Sequence, residues 1–334
     1  GRIDDTLMHI SNTLMFEEGR PAPTASNGKA FCQEIIRLFG LLYSNEVLMN
    51  PLNALTFDWL NKLNIFPKSK EAASISKDFR IRISDYIHMR EKELRDMMDK
   101  GGEKISDLNK IGIHRNIMDT MIANNILLNE DEKMTFDELI GNAILFFVTS
   151  YDTTVTSTRS VLFCLAHRQD LQQKLYDEIK SKNLDKPDIK IEQLDSSELL
   201  TNVVNEGLRL YTPGTNSFER IITKDFSAGG FSFRKGDQII VPYGPLMWDD
   251  KHFSKPREFN LSNITPENKK YYLPFSTGKR ACVGRVLADM EMKLFIILTL
   301  SKYRLIPMNT EDECRYVNKM AGQIINCGFT LQER

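Results

Sequence analysis

Apolar positions along the first two-thirds of the chain recur with the period of a helix, interrupted by short polar breaks. Between Ser76 and Lys100, residues Ile83, Ile87, Leu94 and Met98 fall on one helical face that Gly101 and Gly102 would stop. Ile117, Met118, Met121 and Ile122 predict a second, shorter helix. Thr135 stands three residues before Glu138, the spacing of a capping box, and Leu139 to Val148 are mostly apolar on every face. No Gly or Pro interrupts the chain from Asn142 to Ala166. The pattern predicts one long buried helix over 136–167, roughly 30 residues and about 45 Å, long enough to cross the molecule. Leu171, Leu175 and Ile179 mark a further amphipathic helix, and 195–210 another, ended by Pro213.

From Arg220 the period changes. IITKDFSAGGFSFRKGDQIIVP alternates short β-rich runs with GG and KG turns, which predicts a small sheet. Residues 242–275 show no period, and Pro242, Pro245, Pro256, Pro266 and Pro274 make them an irregular, ordered meander leading into a loop that ends at Gly284. A last helix is expected after Gly284, with Val286, Leu287, Met290 and Leu294 on one face, and a C-terminal hairpin over 322–333. The expected fold class is mainly α with a small β-sheet (α+β), in a single domain over 1–334.

Composition narrows the function classes. The 44 Lys+Arg balance 45 Asp+Glu, so a basic nucleic-acid binder is excluded, and 41% apolar residues supply a core that a disordered chain would lack. Cys32, Cys164, Cys282, Cys314 and Cys327 are scattered, with no C-x-x-C pair and no His at metal-ligand spacing, against a disulfide scaffold or a structural zinc site. The apolar runs are too short to cross a bilayer, and the opening GRIDDT has no apolar signal-peptide core. His9, His88, His114, His167 and His252 share no spacing that suggests a site, and are expected to be surface or packing residues.

The sharpest chemical signal is FSTGKRACVG, residues 275–284. A Cys between glycines, directly before a helix, sits where backbone N–H groups and the helix dipole favour a thiolate. Gly278 and Gly284 would let backbone approach something flat and large. An isolated C-x-G of this kind is more often a buried structural thiol. Here, however, Phe275, Gly278, Arg280, Cys282 and Gly284 match F-x-x-G-x-R-x-C-x-G, and the stretch resembles the haem-binding loop of the cytochrome P-450 family. The resemblance implies haem b (iron protoporphyrin IX) with Cys282 as the thiolate ligand to iron, Arg280 on a propionate and Phe275 beside the sulfur. Ala288 and Glu291-Met292-Lys293 resemble the family's A-x-x-E-x-K.

Three further stretches fit. Glu206 and Arg209, by spacing an ordinary helical ion pair, resemble the family's E-x-x-R, which ties the meander to the core. The family's third partner is an Arg in P-x-R-F; KPREFNLSNI instead places Leu261, Asn263 and Ile264 there, so Asn263 is expected to donate a hydrogen bond without a charge. Asp152 and Thr153 in TSYDTT are costly in an apolar helix unless they meet partners or water, which points to a cavity wall. They resemble the family's A-G-x-D-T-T, whose acid and alcohol relay protons during oxygen cleavage. Thr149 and Ser150 replace its small Ala-Gly pair, and Ser150 is expected to bend the helix by bonding to the carbonyl of Phe146. Arg220 stands where the family places another propionate-binding Arg.

The matches run in family order from about Ser76 onward. The family's N-terminal portion, with its membrane anchor and the W-x-x-x-R helix, is not matched; neither Trp59 nor Trp248 has Arg four residues later. A fragment, or a short form that covers haem differently, is expected. The resemblance implies a haem-thiolate mono-oxygenase acting on a hydrophobic small molecule near Val148, Ser150 and the segment after Pro213. Electrons would come from a flavoprotein or iron–sulfur reductase, steered by a basic surface of Lys255, Arg257, Lys269, Lys270, Lys279, Arg280 and Arg285. The alternatives are a peroxide-using or rearranging relative that needs no reductase, and a truncated, non-catalytic haem-binding protein. A full-length form with the family's anchor would sit at the endoplasmic reticulum membrane.

Overall fold

Helix-forming sequence extends upstream of the first apolar stripe, and the structure uses it. In a computed structural model, which describes residues 67–101, 116–214, 217–318, 322–325 and 327–334, helix α1 (Pro67–Gly101) begins before the apolar positions do. Its first residue is a proline, whose missing N–H costs nothing in a first turn. Helix α2 (Ile117–Leu127) follows, opened by Asn116, whose side chain accepts from the Asp119 N–H. Helix α3 (Phe136–Ala166) has 31 residues and the expected capping box: Thr135 N donates to Glu138 Oε2 at 2.7 Å and Glu138 N to Thr135 Oγ1 at 3.2 Å.

The chain divides into two compact units, Gly1–Asp152 and Thr153–Arg334, with the division inside α3. In the first, Ile83, Tyr86, Ile87 and Leu94 of α1 pack with Met118, Ile122 and Ala123 of α2 and Leu139, Ile140 and Ala143 of α3. Among them the buried guanidinium of Arg90 grips the Asp119 carboxylate with two bonds of 2.7 and 2.8 Å. The Met98 side chain lies outside the described set.

In the second unit, Val161 to Ala166 of α3 are fully buried, with Leu175 and Ile179 of α4 (Gln169–Ser181) on one face as expected. The single turn α5 (Ile191–Leu194) precedes α6 (Glu198–Leu210), which starts three residues later than its apolar pattern because Ser197 caps it, accepting from Leu200 N at 3.0 Å. Gly207 brings α6 close to α3: a Cβ there would stand 2.5 Å from Val161 Cγ2.

The strands form two-stranded ladders. β1 (Phe218–Ile221) pairs with β4 (Gln238–Val241), and between them lies the hairpin of β2 (Phe226–Ala228) and β3 (Phe231–Phe233). Its turn is Gly229-Gly230 with φ of 58° and 81°, the left-handed pair a tight hairpin requires. The meander contains one short helix, α7 (Tyr243–Met247), and 3-10 turns at 261–263, 268–271 and 278–280. Tyr243, Met247 and Phe253 form its own small core with Phe218, Tyr271, Tyr272 and Leu273. Helix α8 (Arg285–Lys302) follows the loop.

The C-terminal hairpin expected over 322–333 is corrected. Both strands exist, but β7 (Gly322–Ile325) pairs with β6 (Arg315–Asn318), and β8 (Phe329–Glu333) pairs with β5 (Tyr303–Pro307). β5 runs straight out of α8, and its buried Leu305 is held at both backbone groups by Gln172, whose Oε1 accepts at 2.8 Å and whose Nε2 donates at 3.2 Å. That fixed strand offers β8 a five-residue ladder, longer than the four residues of β7 could give. Among the described residues no helix is long and apolar enough to cross a membrane.

Candidate active site

The site is built from a turn that closes on itself. Cys282 N donates to the Phe275 carbonyl at 2.9 Å, Ala281 N to Gly278 O at 3.0 Å, and Ser276 N to Leu273 O at 3.0 Å. Holding this shape takes two left-handed residues, Ser276 at φ 60° and Gly278 at φ 74°. Gly278 adopts that conformation freely; Ser276 is strained by it. The Arg285 guanidinium lies 5.9 Å from the Phe275 ring centre. Gly284 is the N-cap of α8, so Cys282 sits just before the positive end of an 18-residue helix.

Cys282 is exposed, whereas Cys164 is buried and its thiol is pushed well up by burial. Beside Cys282, Val283 is 81% and Val286 70% exposed. Arg280 is exposed and makes no ion pair among the described residues, and nothing stands within 4 Å of where a Gly278 Cβ would be. A soft sulfur donor, flanking apolar side chains that lack cover, open space over a glycine and a free cation fit a flat apolar macrocycle with carboxylates at its edge. The turn therefore suits haem.

A buried polar knot holds the meander that leads to this turn. Arg209 and Glu206, both 0% exposed, are joined by two bonds of 2.8 and 2.9 Å. Arg209 also donates to the carbonyls of Met247 and Pro256 at 2.7 Å and of Glu258 at 3.2 Å. Glu206 Oε1 accepts from Asn260 N at 2.9 Å and from the amide of Asn263 at 3.1 Å, so the structure brings Glu206, Arg209 and Asn263 together. The Phe253 ring lies 5.1 Å below the guanidinium.

On α3, Asp152 and Thr153 are adjacent and half-buried, and burial pushes the Asp152 carboxyl above its usual range. Thr149 Oγ1 donates to the Leu145 carbonyl at 2.7 Å, and Ser157, Thr158 and Ser160 bond in the same way to carbonyls one turn back. Such back-bonding loosens a helix, and the sequence reading anticipated it at Ser150 alone. Val148's side chain lies outside the described set. Arg220, half-buried on β1, lies 4.9 Å from the Phe218 ring centre and donates to the Glu219 carbonyl.

Other sequence expectations resolve simply. His88 stacks on Phe136, His252 on Tyr271, and both ring nitrogens of His167 face backbone carbonyls, of Phe163 and Asn309; His9, His114, Cys32 and Trp59 lie outside the described residues. In the basic surface Lys255 is paired with Glu258, while Arg257 stacks on Trp248 and Lys270 on Tyr271. Lys293, 2% exposed, was noted only as part of a motif, yet it joins Asp195 at 2.6 Å to Asp289 at 2.7 Å. The Asp289 partner was legible at helical spacing; Asp195, far away in sequence, was not.

Comparisons with known proteins agree with this geometry. The family model described as Cytochrome P450 matches residues 39–328. Lithocholate 6-beta-hydroxylase of Mesocricetus auratus is 34% identical over 66% of this chain and 46% of its own length. Cytochrome P450 3A15 of Cavia porcellus is 34% identical over 51% of this chain and 35% of its own. The chain thus spans less than half the length of these two relatives. The solved cytochrome P450DA heme domain superposes with a TM-score of 0.67 over 99% of this chain and 68% of that one, at 17% identity, which shows the same fold. With its α+β architecture, its closed Cys282 turn and a family match over most of its length, the chain belongs to the cytochrome P450 family.

Proposed function

We propose that this chain is the haem-binding part of a haem-thiolate mono-oxygenase that inserts one oxygen atom from O2 into a hydrophobic organic substrate, with electrons from a flavoprotein or iron–sulfur reductase. The exposed Cys282 thiol, presented by the Phe275–Cys282 turn ahead of α8, carries the proposal. When bound, haem b supplies the oxygen chemistry, and a thiolate ligand favours O–O cleavage. Cys282 would hold the iron, with Phe275, Gly278 and Gly284 shaping the turn around the sulfur. Arg280 and Arg220 would pair with the propionates, the former making no ion pair among the described residues.

Asp152 and Thr153 would manage protons. Burial pushes the Asp152 carboxyl above its usual range, which favours the protonated form that a proton donor needs. The Glu206–Arg209–Asn263 knot would position the turn from behind without touching substrate. Lys269, Lys270, Lys279, Arg280 and Arg285, all exposed, present the positive surface toward which an acidic reductase would be steered. A longer form carrying the family's anchor would act at the endoplasmic reticulum membrane.

The test is spectroscopic. The reduced, CO-treated chain should show the red-shifted Soret band of a thiolate complex, Cys282→Ser should lose it, and Cys164→Ser or Cys314→Ser should keep it. A band that survives in Cys282→Ser would refute the assignment.

A further inference from the structure

The fold brings two separated cysteines to one end of the β6–β7 ladder. Arg315 pairs with Ile325 at that end; Cys314 stands one residue before the first and Cys327 two residues after the second, so both leave the ladder on the same side. At about 3.3 Å per residue and about 5 Å between strands, that offset leaves their Cα atoms roughly 6 Å apart, inside the roughly 4.4–6.8 Å that a disulfide spans. Neither residue belongs to a strand, so neither is bound to the alternation that would turn the two sulfurs to opposite faces. Cys314 Sγ turns back to donate to the Thr310 carbonyl at 3.5 Å. Next to Thr310, Met308 N donates to the Gly328 carbonyl at 3.0 Å, and Met308 and Asn309 close over Gly328, the residue after Cys327. The same few residues therefore hold both cysteines at one corner.

The surroundings make the two thiols unequal. Burial raises the Cys327 thiol, and the Arg159 guanidinium of α3 beside the sulfur pulls against that rise. Burial raises Cys314 as well, and the Cys327 sulfur adds to it, as two groups that would both turn negative must. Both are half-buried, within reach of a small reagent, whereas Cys164 is fully buried in α3. What the corner controls is the ladder. Tyr316 of β6 donates its hydroxyl to the Thr212 carbonyl at 2.6 Å, and its ring stands edge-on to Trp248 at 5.5 Å. β6 thus leans on the segment that leaves α6, just before Pro213.

We propose that Cys314 and Cys327 form a reversible disulfide with a small disulfide oxidant such as glutathione disulfide, and that the bond clamps the base of the β6–β7 ladder. Cys327, with Arg159 at its sulfur, loses its proton to solvent and attacks one sulfur of the oxidant. The oxidant's S–S bond breaks, and one glutathione leaves as a thiolate that takes a proton. Cys314, deprotonated in turn, attacks the Cys327 sulfur of the mixed disulfide and releases the second glutathione. Two protein thiols are oxidised and one glutathione disulfide is reduced to two glutathione molecules. The step uses neither haem nor Cys282, so it stands or falls apart from the proposed oxygen chemistry.

The full chain is equilibrated in glutathione buffers of rising oxidised-to-reduced ratio, folded and in urea, then acid-quenched, alkylated, digested and mapped by mass spectrometry. The folded chain should lose two of its five alkylatable thiols, with one cross-link joining the Cys314 and Cys327 peptides. Cys314→Ser and Cys327→Ser should each abolish that cross-link, and Cys164→Ser should leave it. The folded chain should form it at an oxidised-to-reduced ratio at least tenfold lower than the urea-unfolded chain, because folding has already closed the loop. Amide hydrogen exchange across β6 and β7 should slow about tenfold or more on oxidation, and should not change in either Ser variant. The proposal is overturned if no cross-link forms in the folded chain, or if it forms as readily in urea. A cross-link from Cys327 to Cys164, or exchange in β6 and β7 that oxidation leaves unchanged, would overturn it as well.

Discussion

The sharpest stability test concerns Glu291, nearly two turns into the helix that follows the Cys282 loop. It is 6% exposed, and its Oε1 finds no hydrogen-bond partner among the described residues. The cation nearest in sequence is not available: the Lys293 ammonium is taken by Asp195 and Asp289, whose bonds outweigh its own burial and push its pKa up. Burial alone therefore governs Glu291 and pushes its carboxyl up from 4.5 to about 7.

The sign of the effect on folding follows from that order. Below pH about 4.5 the carboxyl is protonated whether the chain is folded or not, and its contribution to stability is fully present. As pH rises toward 7 the unfolded chain ionises first, and the folded state loses about 1.4 kcal/mol per unit. Above pH about 7 the loss is complete, and the shift sets its size at roughly 3 kcal/mol. Glu291→Gln keeps the shape and cannot ionise. Urea unfolding of both proteins from pH 4.5 to 8 should show a small, constant offset at the acid end and a growing advantage for the Gln variant, reaching about 2–3 kcal/mol at pH 8. Parallel stability curves across that range would show that water or a cationic partner already satisfies the charge, and would refute the reasoning.

Three other outcomes are expected. Arg209→Lys, with three donors in place of five, leaves carbonyls among Met247, Pro256 and Glu258 unmet beside a buried carboxylate, so unfolding free energy should fall by roughly 3–5 kcal/mol and haem should be lost faster; unchanged stability would remove the knot from the account. Gly207→Ala gains helix propensity of about 1 kcal/mol but drives a methyl against Val161, so thermal unfolding should show a net loss of roughly 1–3 kcal/mol, and a stabilised variant would mean that α6 shifts freely. Thr153→Ala should keep the CO spectrum and haem content while more of the electrons consumed appear as hydrogen peroxide; turnover as tightly coupled as in the wild type would contradict a proton-handling role.

What the sequence disclosed and what it withheld divide along one physical line. The capping box at Thr135 and Glu138, the uninterrupted α3 and the Gly229-Gly230 turn are local, each fixed by residues within a few positions of one another, and each was legible. The partners of β7 and β8 were not. Alternation marks a strand, but its neighbour is chosen by whichever edge the rest of the fold has already fixed, here the β5 edge that Gln172 holds through the backbone of Leu305.

The candidate site shows the same division more finely. Cys282, Arg280, Glu206 and Arg209 stand out because each needs a particular side chain. Asn263 could be read as a donor because one amide suffices to reach Glu206 Oε1. Yet three of the five bonds made by Arg209 end on the carbonyls of Met247, Pro256 and Glu258, and a carbonyl is the same whichever residue carries it. A side chain that binds backbone leaves no mark on the identity of its partner. Lys293 and Asp195 make the complementary case: both ends are side chains, but the 98 positions between them are spanned only when α5 and α8 pack. The sequence therefore names the groups proposed to meet haem, while the supports behind them, which fix the geometry of the turn, appear only once the chain has folded.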